Sequence, residues 1–133
     1  MLPTSVSVLV VDDSRVAQKR LAALLEEFGY QVVGLASDGA EAVGKFQALR
    51  PDMITMDITM PGMDGIVATR RIMEACPSAV VVMVSSHGQE AMVLDALDAG
   101  AKDYIIKTVE KETLRDTLQK IVIRHILKPS RPA

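Results

Sequence analysis

The stretch Met53-Ile54-Thr55-Met56-Asp57-Ile58-Thr59-Met60-Pro61-Gly62-Met63-Asp64-Gly65 sets a carboxylate at the end of a short apolar run and just before a Pro-Gly turn. Four residues, three of them apolar, bounded by turn residues read as a buried strand. In α/β proteins the crevice outside the carboxyl ends of such strands is where ligands bind. Asp57 is therefore placed for chemistry rather than for solubility.

Working outward, four similar runs appear at 6–11, 31–36, 79–84 and 103–106. Segments of helical period alternate with them at 14–28, 38–49, 66–75, 89–99 and 110–127, with Gly29, Arg50-Pro51, Pro77 and Gly100 as stop signals. Alternation of this kind predicts parallel strands joined by crossover helices. Right-handed crossovers then lead to an α/β fold, a flavodoxin-like (βα)5 doubly wound parallel sheet of order 2-1-3-4-5, with its switch point between strands 1 and 3. The first, third and fourth runs are nearly continuous in apolar residues, as central strands covered on both faces require.

A chain of 133 residues has room for one domain, and 49% hydrophobic with 24% charged residues is a globular composition. We expect that domain to span 1–127, with Lys128-Pro129-Ser130-Arg131-Pro132-Ala133 as a frayed tail. The net charge of −2 supplies no overall basic field for a nucleic-acid backbone, so no direct nucleic-acid contact is expected. Cys76 is the only cysteine, which excludes an internal disulfide and a cysteine zinc cluster. With no apolar run of membrane-spanning length and no signal peptide, no membrane contact and a cytoplasmic location are the expectation.

Asp12 and Asp13 follow the first strand and therefore lie beside Asp57 at the switch point. Taken alone, an Asp-Asp-Ser string is often a helix cap. Three gathered carboxylates, however, need a cation, and an oxygen-only donor set suits Mg²⁺, or Mn²⁺. Ser85 and Lys107 end the fourth and fifth strands. A carboxylate that accepts a phosphoryl group, a metal ion that neutralises charge, an ammonium and a hydroxyl together make a phosphoryl-transfer set, with Asp57 as nucleophile.

Asp12-Asp13, Asp57 with Met60-Pro61-Gly62-Met63-Asp64-Gly65, Ser85 and Lys107, in that order and roughly one βα unit apart, resemble the receiver domain of two-component response regulators, over about residues 6–125. The resemblance implies a signalling module rather than an enzyme, one that catalyses only its own phosphorylation and dephosphorylation. Asp57 would take its phosphoryl group from a sensor histidine kinase or a phosphotransfer protein, in a phosphorelay or in chemotaxis. Asp13, Asp57 and the Thr59 backbone carbonyl would hold Mg²⁺, with Asp12 acting mainly through water. Lys107 would contact the phosphate, while Ser85 and Tyr104 would form the switch, and Thr59 and His87 would tune water attack from the rim.

Receivers usually carry proline, in a cis bond, after that lysine. Thr108 stands there instead, and because a cis bond before a non-proline costs ~3 kcal/mol, a trans bond is expected. Ile123, Ile126 and Leu127 extend the apolar stripe of the last helix around its surface, which suggests that the helix 4, strand 5 and helix 5 face serves a downstream target or a homodimer. Val82-Met83-Val84-Ser85-Ser86 also resembles receivers of the chemotaxis methylesterase type. Two alternatives remain at this level: a Mg²⁺-dependent phosphohydrolase with an Asp nucleophile, which would want an acid where Thr59 stands, and a flavodoxin-type cofactor carrier, which the acidic first turn disfavours.

Overall fold

Five parallel strands, β1 (Ser7–Val11), β2 (Gln31–Ala36), β3 (Met53–Met56), β4 (Val81–Ser85) and β5 (Asp103–Ile106), alternate with helices α1 (Arg15–Glu27), α2 (Gly39–Leu49), α3 (Gly65–Ala75), α4 (Glu90–Asp98) and α5 (Lys111–Ile121) in a computed structural model that describes residues 6–127. Hydrogen bonds order the sheet β2-β1-β3-β4-β5, the expected doubly wound arrangement. Val10 pairs with Thr55 and Thr55 with Val82, so the three central strands run level and end together. The tail expected at 128–133 lies outside the described residues.

Alternation along the strands splits the interior into two cores. Leu9, Val11, Ile54, Met56, Val81 and Met83 face Ala42, Phe46, Ala68, Ile72 and Ala96 of α2, α3 and α4. Val8, Val10, Met53, Val82, Val84 and Ile105 face Leu25 of α1 and Leu114, Leu118 and Ile121 of α5. Burial on both faces explains why β1, β3 and β4 carry apolar residues at nearly every position. α1, α2 and α3 start where polar side chains satisfy free amides: Ser14 Oγ accepts from Ala17 N, Asp38 Oδ1 from Glu41 N, and Asp64 Oδ1 from both Ile66 N and Val67 N. α1, α2 and α4 stop where a left-handed residue turns the chain, at Gly29 (φ 102°), Arg50 (φ 47°) and Gly100 (φ 115°), whereas α3 ends on the extended Cys76.

The expected last helix is corrected at its end. α5 stops at Ile121 and continues as a π-helical turn, Val122–Ile126, closed by a 2.7 Å bond from Leu127 N to the Val122 carbonyl. The five-residue step brings Leu127 into line with the fully buried Val122. Ile126 and Leu127 consequently pack on the α1/α5 core, and only Ile123 of the three surplus apolar residues stands exposed. Among the described residues no peptide bond is cis, so Lys107-Thr108 is trans as expected, and no helix is long and apolar enough to cross a membrane.

Thr55, in the middle of β3, is buried with its hydroxyl unpartnered. A buried hydroxyl without a partner keeps its desolvation penalty and returns nothing for it. Thr55→Val is therefore expected to raise unfolding stability by about 1 kcal/mol in urea titrations; a loss of stability would mean that the hydroxyl is partnered in solution.

Candidate functional site

At the end of β1, Asp12 is buried and Asp13 exposed. Asp12 N donates to the Ala36 carbonyl (3.0 Å) and Asp12 Oδ1 accepts from Ser14 N (2.9 Å). The buried Gln18 side chain locks this corner: its Nε2 lies 2.5 Å from the Asp12 carbonyl, 3.0 Å from the Ala36 carbonyl and 3.0 Å from Ser37 Oγ. Two amide hydrogens thus serve three acceptors, and the β1-α1 and β2-α2 loops are tied to one side chain.

Asp57, 5% exposed, follows β3. Its N–H donates to the Val11 carbonyl (2.9 Å), which carries the sheet ladder one step beyond β3 and sets the acid level with Asp12. Ile58 N donates to its Oδ1 (3.0 Å). The loop then doubles back so that Gly65 N reaches the Ile58 carbonyl (2.8 Å). A Cβ at Gly65 would fall 2.0 Å from the Asp57 carbonyl oxygen, so only glycine permits this close return.

Carboxylate oxygens of Asp12, Asp13 and Asp57 lie within 4.8 Å of one another. Lys107 reaches them from the end of β5, with Nζ 2.6 Å from Asp12 Oδ2 and 3.8 Å from Asp57 Oδ1. Burial, followed by the neighbouring charge of Asp12 and then of Asp13, pushes the Asp57 carboxyl up to about 6, against the opposing pull of Lys107 and the Ile58 amide. This crowding of negative charge, with hard oxygen donors and neither nitrogen nor sulfur ligands, fits a small divalent cation such as Mg²⁺.

The structure brings together four of the expected site residues, Asp12, Asp13, Asp57 and Lys107, in direct charge contact. Ser85 is fully buried at the end of β4, its carbonyl accepting from Lys107 N (2.8 Å) and its Oγ from His87 N (3.2 Å). The Tyr104 hydroxyl donates to the His87 carbonyl, so both ends of that loop residue are held. Thr59 and His87 are exposed, on the β3-α3 and β4-α4 loops. One contributor escaped the sequence reading: Gln18, which carried a signal as a polar residue in step with Leu21 and Leu25 on the buried face of α1. Gly65 was read as part of the motif after Asp57, but not its close return onto the Asp57 carbonyl.

Residues 8–119 match the response regulator receiver domain family. The chain is 44% identical over 114 residues to chemotaxis protein CheY of Thermotoga maritima, covering 86% of this chain and 95% of that protein. It is 50% identical over 108 residues to protein-glutamate methylesterase/protein-glutamine glutaminase 1 of Pseudomonas aeruginosa, covering 80% of this chain but 29% of that one. Its fold is similar to a chain in the CheX-CheY-BeF₃-Mg²⁺ complex from Borrelia burgdorferi, with a TM-score of 0.81 and 37% identity over 91% of this chain and 89% of that one. These matches do not favour the phosphohydrolase alternative, and the residue two past Asp57 is the exposed Thr59 rather than an acid.

The raised Asp57 value has a signed consequence for stability. A carboxyl whose folded value lies above its ordinary 3.8 favours the neutral acid, so its contribution is full below about pH 4 and lost as pH rises through about 6. In chelator, Asp57→Asn is expected to be more stable than the parent at pH 7.5, with the gap closing toward pH 4. Urea unfolding across that range measures it, and a gap that widens on acidification would refute the assignment.

Proposed function

Since the chain belongs to the response regulator receiver domain family, we propose that Asp57 is its phospho-acceptor in a two-component signalling system. The observation that carries this reading is a buried carboxylate set within 4.8 Å of two others and 3.8 Å from an ammonium group. An Asp57 oxygen attacks the phosphorus of a phosphohistidine on a sensor histidine kinase or phosphotransfer protein. The P–O bond forms as the P–N bond breaks, and the imidazole leaves with its electron pair and takes up a proton. Water later attacks the acyl phosphate and returns the carboxylate and inorganic phosphate. The protein catalyses these steps on itself alone.

Asp13, Asp57 and the Thr59 backbone carbonyl would hold Mg²⁺, with Asp12 acting mainly through water. When bound, the ion neutralises charge that builds on the phosphoryl oxygens. Lys107, now closest to Asp12, supplies the second positive charge once it turns to the phosphoryl group. The Ser85 hydroxyl turns to donate to a phosphoryl oxygen, and in turning draws away from the His87 amide that it now accepts from. That movement loosens the Tyr104 bond to the His87 carbonyl and turns a local charge change into a loop displacement. Thr59 and His87, at the rim, tune access of water to the acyl phosphate.

The face that reads this change is formed by α4, β5 and α5. Leu94 (59% exposed), Leu97 and Ile123 are open there, beside the half-exposed Tyr104, and suit a downstream protein target or a homodimer. As a unit the receiver takes in residues 1–127, and a cytoplasmic place follows from such a kinase partner.

Incubation with acetyl phosphate and Mg²⁺, followed by intact mass, tests the reading. One phosphoryl group is expected on the parent and none on Asp57→Asn; label that persists in the variant would sink the assignment, and chelator should abolish it. Lys107→Ala is expected to retain labelling while losing most of the Tyr104 fluorescence change produced by beryllofluoride with Mg²⁺. Loss of all labelling in Lys107→Ala would contradict its role in coupling.

A further inference from the structure

Asp13 brings an oxygen within 4.8 Å of those of Asp12 and Asp57, yet its carboxylate enters no hydrogen bond or ion pair among the described residues. Its aim therefore comes from the backbone that carries it. That backbone is the Asp12-Asp13 peptide, whose carbonyl has one donor among the described residues, Gln18 Nε2 at 2.5 Å. On the other side of Asp12, its N–H donates to the Ala36 carbonyl (3.0 Å), and Gln18 Nε2 reaches that carbonyl as well (3.0 Å). The Asp12 N–H, the Ala36 carbonyl, the Gln18 amide and the Asp12 carbonyl thus close a ring that fixes both peptide planes flanking Asp12. Carbonyls only accept, so the nitrogen of the Gln18 amide, not its oxygen, has to face them. Gln18 and Asp12 are each 4% exposed, and a buried carbonyl that loses its donor is driven to find another. Turning it rotates the Asp12-Asp13 peptide plane and carries Asp13 along.

We propose that Gln18 is a positioning residue for the cation site: its amide sets the Asp12-Asp13 peptide and so aims the Asp13 carboxylate into the acidic cluster. Gln18 acts through Asp12 and Asp13 and touches neither the ion nor a phosphoryl group. The inference rests on the assignment of Asp13 and Asp57 to Mg²⁺ under the proposed function. Loss of a group that orients a metal's ligands typically costs about ten- to a hundredfold in metal affinity. The same amide lies 3.0 Å from Ser37 Oγ, so the β2-α2 loop shares in setting that affinity.

The test titrates the full, metal-free chain with Mg²⁺ and follows amide resonances of Asp13, Ile58 and Thr59. Gln18→Met keeps the length of the side chain and removes its donors, and is expected to weaken Mg²⁺ by about tenfold or more. Gln18→Asn keeps the amide but shortens its reach, and should weaken Mg²⁺ by about threefold or more. Ile72→Val, a core change in α3 away from this corner, should leave the affinity unchanged. Labelling by acetyl phosphate supplies a second readout. In Gln18→Met the rate should fall at low Mg²⁺ and return to within about twofold of the parent at saturating Mg²⁺, because Asp57 and Lys107 stay in place. Unchanged Mg²⁺ affinity in Gln18→Met, an equal loss in Ile72→Val, or a rate deficit that persists at saturating Mg²⁺ would each overturn the proposal while leaving the metal assignment intact. No saturable binding by the parent would overturn that assignment, and the proposal with it. Should Gln18→Met fail to fold, Gln18→Asn decides.

Discussion

Like charge held close at the ends of buried strands is the constraint on which the rest of this protein depends. Asp12, Asp13 and Asp57 present oxygens within 4.8 Å of each other, and two of the three are buried. In water such a group would separate; here the backbone does not let it. The ladder bond from Asp57 to Val11, the Gln18 clamp on Asp12 and the tight return at Gly65 hold the acids at one level. The raised Asp57 carboxyl is the thermodynamic trace of that confinement, and Lys107 is the nearest relief the chain itself offers.

The sheet makes the confinement affordable. Three central strands buried on both faces form a rigid floor, and the loops at their carboxyl ends need only short reaches to converge. Lys107 arrives from the edge strand β5, through a backbone bond to Ser85 that fixes where its stem begins. Its 2.6 Å contact with Asp12 and its 3.8 Å approach to Asp57 describe a cation poised between two acids, free to favour whichever gains charge. The same lysine also lines a groove between α1 and α5, so three neighbourhoods meet in one ammonium group.

Much of this was legible in the chain. The bounds of β2, β3 and β5 follow directly from their apolar runs, and Gly29, Arg50 and Gly100 end helices where stop signals stood. Asp12, Asp13, Asp57 and Lys107 were readable because each follows an apolar run, and a strand order places their ends together. The end of α5 was not readable. A π-helical turn has no composition of its own, and Ile126 and Leu127 pack on the core through its five-residue step rather than through a regular helical spacing. Gln18 was passed over because a polar residue on an apolar face acquires meaning only when its acceptors are known.

Sequence alone determined the architecture, the convergence of acids and lysine, and the resemblance to receivers, because periodicity and strand-end chemistry are local and the crossover rules are general. Tertiary structure decided which acid Lys107 grips, how far Asp57 is pushed toward the neutral form, how His87 is held between Ser85 and Tyr104, and where a groove opens between α1 and α5. Those quantities depend on distances and burial among residues far apart in the chain. No pattern along the chain encodes a separation of an ångström, and electrostatic energies turn on such separations.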